Sequence, residues 1–158
     1  MPNDSQKRTL TSEAATERLM AICSKKETSE GDALRKLTQW GVNTEKHEEI
    51  LTSLRKHGFI DNLRFALAFA NDKAKFNKWG PKKIEQALAF HRIPKAIIEM
   101  ALKSLNMVEY TLLDVLTKKA RTIKAKDEQE WRNKLIRFGL SRGFDLDAVI
   151  RATKQIER

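Results

Sequence analysis

A spacing of 51 residues constrains this chain more than any other feature. Apolar residues recur at helical intervals along most of its length, and short breaks interrupt the stripes. The break after the second stripe of each set ends on an apolar residue: Val42, Ile93 and Phe144, 51 residues apart in both intervals. The same shift superposes Leu37 on Leu88 and Ile84 on Leu135. Any helical chain aligns with itself at some shift, but here three equal breaks coincide with three sets of stripes. A fixed period marks an array of supersecondary units, each too small to be stable alone. The expected fold is all-α: three tandem three-helix repeats packed into an elongated, curved array, right-handed or open.

The stripes place the units. Residues 1–9 are polar and expected to form a flexible tail; the first unit spans 10–60, the second 61–105 and the third 106–158. Thr11-Ser12 offers an N-cap, and Ala15, Leu19 and Ile22 follow on one face. Lys25 to Ser29 reads as a polar loop. Ala33, Leu34, Leu37 and Trp40 form the next stripe, stopped by Gly41. Asn43-Thr44 opens a third helix with His47, Ile50, Leu51 and Leu54 inward, ended by Gly58. Asp61-Asn62 restarts the pattern with Phe65, Phe69 and Phe76. Gly80-Pro81 ends that helix and begins another, carrying Ile84, Ala87 and Leu88. After Ile93-Pro94 come Ile97, Ile98, Ala101 and Leu105. The last unit reads Leu113, Leu116, Ala120 and Ile123, a charged linker at Lys124 to Glu128, then Trp131, Leu135 and Phe138, and finally Leu146, Val149, Thr153 and Ile156. With 6 glycines and 3 prolines in 158 residues, long helices are favoured and a hairpin-rich β fold is not.

Charge is uneven. The chain carries a net +10. Residues 1–60 hold 10 basic and 9 acidic side chains, residues 61–105 hold 9 and 4, and residues 106–158 hold 12 and 8. A basic balance suits polyanions, acidic protein surfaces or anionic membranes, and the last two units carry it. No run approaches the ~20 apolar residues of a membrane span, and the N-terminus lacks the apolar stretch of a signal peptide. The one cysteine, Cys23, has no internal partner, which fits a reducing compartment. The expectation is a soluble, monomeric, cytoplasmic protein.

No catalytic constellation is evident. His47, His57 and His91 lack metal-ligand spacing with one another or with Cys23. The glycines are scattered caps rather than a phosphate loop, and Glu48-Glu49 diverge on a helix. The reading is of a non-enzyme without cofactor or metal. Lys73, Lys75, Lys78, Lys82 and Lys83 fall within eleven residues, with no acid among them and with Phe76 and Trp79 interleaved. Lysines neutralise phosphates and aromatics stack on unpaired bases. The same residues also serve as a packed corner with solvated lysines, the commoner role for such aromatics. A second basic group is Arg132, Lys134, Arg137 and Arg142.

Residues 58–105 resemble the central segment of the RecX family, bacterial regulators of the RecA recombinase. The resemblance rests on Gly58, Phe59 and Asp61, then Arg64-Phe65-Ala66, then Lys73, and then Gly80-Pro81-Lys82-Lys83-Ile84 and Leu88. Residues 29–42 look like the family's first repeat, and Arg142-Gly143-Phe144 matches the turn of its third, so roughly residues 10–157 are covered. The family's second turn is usually a basic residue, Gly and Ile; here it is His91-Arg92-Ile93, and a somewhat different cap is expected without glycine. The resemblance implies tandem three-helix modules that lodge in the groove of the RecA–DNA filament and inhibit strand exchange and ATP hydrolysis. The candidate contacts to RecA or DNA are Lys73, Lys75, Lys78, Lys82, Lys83 and Arg92, then Arg132, Lys134, Arg137 and Arg142. Arg64 is added as a guess, since it has a carboxylate partner within reach, such as Asp61. Single- or double-stranded DNA is expected to bind weakly and without sequence preference. The rival readings are a direct helix-turn-helix DNA-binding protein, with corners at Gly41 or Pro94, and a scaffold of helical repeats that touches no nucleic acid.

Overall fold

Short polar side chains before each apolar stripe start most of the helices. Thr11, Ser29, Asn43, Asp61, Asp127 and Asp145 each accept a hydrogen bond from a backbone N–H two or three residues on. They open α1 (Ser12–Lys25), α2 (Glu30–Gln39), α3 (Thr44–Lys56), α4 (Asn62–Lys75), α8 (Glu128–Ser141) and α9 (Leu146–Lys154). In the second unit proline starts the remaining helices: Pro81 is the first residue of α5 (Pro81–Phe90), after Gly80 at the cap, and Pro94 caps α6 (Lys95–Lys103). α7 spans Val108–Ala120. This computed structural model describes residues 9–105 and 108–158, with side chains described outside 108–110. No strand occurs among them, so the chain is all-α. The expected tail, apart from Thr9, lies outside the described residues.

Each set of three helices closes on its own core. Ala15, Leu19, Leu37, Ile50 and Leu54 fill the first, Phe65, Ala66, Ile84, Leu88 and Ile98 the second, and Leu112, Leu116, Trp131, Leu135 and Val149 the third. The 51-residue period is a backbone property. Gly41, Arg92 and Gly143 all adopt left-handed φ, at 71°, 60° and 92°. The next N–H in each case bonds to the carbonyl five residues back: Val42 to Leu37 at 3.0 Å, Ile93 to Leu88 at 3.1 Å, and Phe144 to Gly139 at 3.3 Å. This is the Schellman closure of a helix, and it turns the apolar residue after the left-handed one into the core. Val42, Ile93 and Phe144 are all buried.

The different cap expected at Arg92 is therefore not found. Arginine adopts the glycine conformation, because Ile93 must still reach the core through the same closure. A side-chain-bearing residue there costs about 1–2 kcal/mol. Arg92→Gly is expected to raise stability by about 0.5–1 kcal/mol, after glycine's greater unfolded-state freedom is deducted. A urea melt would check this; a fall in the midpoint would mean that the guanidinium makes a stabilising contact.

Four expected positions differ. Phe76 is not part of the α4 stripe: α4 ends at Lys75, Phe76 is its C-cap, and the ring is 70% exposed. Trp79 instead packs on the second core, edge-on to Phe69 with centroids 6.5 Å apart. Ile123 lies beyond α7, and Leu146 is the half-exposed first residue of α9. The polar segment before α2 is not solvated throughout, since Thr28 and Ser29 are buried where Ser29 caps α2.

Candidate nucleic-acid interface

The helices pack chiefly within their own unit, so the junctions between units are made by loops, caps and polar side chains. Between the first two units, Arg64 Nε donates to Glu27 at 2.7 Å and its Nη2 to the Gly58 carbonyl at 3.0 Å. Asn62 accepts the Glu30 N–H at 3.3 Å. Asp32 receives Arg35 at 3.0 Å and lies 2.8 Å from His91 Nδ1. Arg35 also donates to the Phe90 carbonyl and lies over the Phe90 ring, 4.3 Å from its centre. Gly31 sits where a Cβ would fall 2.4 Å from the His91 carbonyl oxygen and 3.0 Å from the Arg92 Cβ.

Between the second and third units the start of α5 meets the turn after α8. The Gly80 N–H donates to the Arg142 carbonyl at 2.6 Å and the Lys82 N–H to the Gly143 carbonyl at 2.9 Å. The Arg142 guanidinium reaches back to the Asn77 carbonyl. Lys82 Nζ lies 3.2 Å from the Asp145 carboxylate. Lys82 holds that carboxyl below its ordinary value, chiefly through the hydrogen bond it donates.

Beside this junction lies a group of cations that have no acidic partner among the described residues. Lys73 and Lys83 place their ammonium groups 4.9 and 4.7 Å from the centre of the Trp79 ring, and Lys73 also lies 5.5 Å from that of Phe69. Lys75 lies 5.3 Å from the centre of the Phe76 ring. Among the described residues, none of Lys73, Lys75, Lys78 and Lys83 forms an ion pair. They cluster because α4 ends, the chain reverses through Lys78 at φ 57°, and α5 begins at Pro81. A cleft of about 360 Å³, lined in part by Lys75, Lys78, Trp79, Pro81 and Phe144, adjoins the group.

The other expected contacts are placed differently. Arg64 is engaged between units, with Glu27 rather than Asp61; Asp61 caps α4. Arg142 is a junction residue. Arg132 binds Glu128 at 2.8 Å, and Lys134 donates to the Lys124 carbonyl at 2.7 Å, so both act within the third unit. Arg137 is exposed, as is Arg92 on its turn. Asp145 is the site residue that sequence reading missed. Nothing in the sequence pairs it with a lysine 63 positions earlier.

The histidines have structural partners: His47 bonds the Val42 carbonyl and His57 the Ser53 carbonyl. Burial pushes the Cys23 thiol up, away from nucleophilic reactivity at neutral pH. Among the described residues there is no metal-holding cluster and no helix long and apolar enough to cross a membrane.

The fold is a set of three-helix units in tandem, linked by polar junctions, with Lys73 and Lys83 over Trp79 and no ion pair to either among the described residues. Profiles described as the second and third three-helix domains of RecX match residues 61–102 and 109–153. The regulatory protein RecX of Neisseria meningitidis serogroup C is 32% identical over 137 residues, 87% of each chain. That of Vibrio campbellii is 28% identical over 137 residues, 86% of this chain and 87% of its own. This chain belongs to the RecX family. Two solved structures share the fold. A regulatory protein RecX gives a TM-score of 0.85 at 22% identity, covering 92% of this chain and 73% of its own. RecX from Lactobacillus salivarius gives 0.80 at 19%, covering 92% and 97%.

Proposed function

We propose that this chain is a cytoplasmic, non-enzymatic regulator that binds the RecA–DNA filament and inhibits strand exchange and ATP hydrolysis. The observation that carries the DNA-contacting part is the group Lys73 and Lys83, over Trp79, with Lys75 over Phe76 and Lys78 on the adjoining cleft, none with an acidic partner among the described residues. Cations that no carboxylate neutralises are available to phosphates, and a binding mode built on them is salt-dependent and blind to sequence. The name of the relatives, regulatory protein RecX, agrees with a regulatory role. A helix-turn-helix reader would present one helix face to base edges. Here the cations straddle the end of one helix and the start of the next, which favours backbone contact.

The direct test adds the protein to RecA on single-stranded DNA and follows ATP hydrolysis and strand exchange. Both should fall at sub-stoichiometric to equimolar protein. Unchanged rates at equimolar protein would sink the reading.

Lys82 differs from its neighbours because Asp145 already neutralises it. Asp145→Asn keeps an N-cap of equal quality on α9 and frees the ammonium. Tighter DNA binding is expected, with a salt slope steeper by about 0.7–0.9, one more phosphate. The depressed Asp145 carboxyl means that the pair is complete above the ordinary aspartate value and is lost as pH falls through the lowered one. The effect of the substitution should therefore vanish in acid.

A further inference from the structure

The aromatic residues of the second unit divide into two kinds. Phe65, Phe69 and Trp79 pack on its core, and their burial explains them. Phe76 is 70% exposed, and the one cation–ring contact it makes among the described residues is with its own neighbour, Lys75. Phe90 is similarly exposed at 69%, but Arg35 of the first unit lies over it and is itself paired with Asp32. Phe90 thus belongs to a charge-balanced junction. Phe76 stands among cations that have no acidic partner among the described residues, with Lys73, Lys75 and Lys78 all within three residues of it in sequence.

A bare ring flanked by unneutralised ammonium groups fits a ligand that alternates flat π faces with negative charges. Unpaired nucleotides have that chemistry: the base stacks on the ring while the flanking phosphates meet the lysines. A duplex offers the phosphates but keeps its base faces stacked inside. We propose that Phe76 is a base-stacking platform that makes this surface selective for single-stranded over double-stranded nucleic acid. Lys73, Lys75, Lys78 and Lys83 bind the phosphates of either form. When a base stacks, Lys75 leaves the ring for a phosphate, exchanging one favourable contact for another. The inference rests on the reading of the lysine group as a DNA-contacting surface.

The test uses the full chain without RecA, titrated against a fluorescent oligo-dT and a duplex of equal length at several salt concentrations. Phe76→Ala should weaken oligo-dT binding on the order of tenfold, change duplex binding less than about twofold, and leave both salt slopes unaltered. Phe76→Trp should retain oligo-dT binding, and Phe76→Leu, apolar but without a ring, should behave like the alanine variant. Equal losses on both forms, no loss on either, or full activity of the leucine variant would overturn the proposal. If Phe76→Ala spares both DNA forms and instead weakens binding to the assembled filament, the ring is a protein anchor and the proposal is wrong. If the unsubstituted chain binds neither form in a salt-dependent way, the lysine surface itself is misread, and the inference falls with it.

Discussion

Replacing Lys73, Lys75, Lys78 and Lys83 together by glutamate is expected to lower DNA affinity by at least about 100-fold at low salt and to abolish inhibition of RecA. Each lysine that neutralises a phosphate contributes about 0.7 to the salt slope on single strands and about 0.9 on duplex. Removing four such contacts flattens the slope by about 3, and reversing the charges adds repulsion. The substitution is well chosen because none of the four forms an ion pair among the described residues. Among the described residues, the cation contacts that folding loses are those of Lys73, Lys75 and Lys83 with rings, about 0.5–1 kcal/mol each at an exposed site. Lys82 is left alone deliberately. Lys82→Glu would set a carboxylate against Asp145 and strain the junction, confusing lost binding with lost structure. Circular dichroism melting alongside anisotropy titration separates the two. A folded quadruple variant with unaltered affinity would remove the lysine group from consideration.

Gly143→Val is expected to cost more than about 3 kcal/mol, largely in the third unit. Two requirements meet at this residue. Its φ of 92° is hostile to a β-branched side chain. A Cβ there would fall 2.4 Å from the Lys83 Cβ and 2.6 Å from the Lys83 nitrogen. Left-handed backbone alone costs a non-glycine residue about 1–2 kcal/mol, and relieving the overlap must part α5 from the α8–α9 turn. That movement also disturbs the closure that seats Phe144 in the third core. Hydrogen exchange should show α8 and α9 losing protection while α4 and α6 retain most of theirs. Unchanged protection in α8 would contradict the account.

Much of the fold was legible because it depends on local rules. The polar caps, the stripes and the glycine turns at Gly41 and Gly143 are each written within a few residues, and Val42, Ile93 and Phe144 carry the repeat directly; the left-handed turn at Arg92 is not written in its residue type. The mistakes arose where a local rule was carried past its support. Helical spacing extends from Phe69 to Phe76, but it does not register that α4 ends one residue earlier. The candidate site was legible as a cluster of lysines and illegible as a set of partners. Arg142 and Lys82 look as free in sequence as Lys73 and Lys83, and Arg64 has Asp61 in view rather than the Glu27 it pairs with. Their engagement depends on Glu27, Asn77 and Asp145, which only the packing of units brings near.

Both junctions have a glycine at the start of the helix, Gly31 against the His91 carbonyl and Gly80 against the Gly143 backbone, but only the second has another on the turn itself, Gly143. In the first, Gly31 on the helix makes room for the Arg92 turn; in the second, Gly143 on the turn makes room for Lys83 on the helix. The units are therefore addressed rather than interchangeable. A duplicated second unit would present its own Arg92 turn to Lys83, side chain against side chain where one of them must be absent. A chain built this way has a fixed number of modules. Lengthening it by copying the middle one would require a new glycine at the seam, so its reach along any partner is a heritable length rather than an adjustable one.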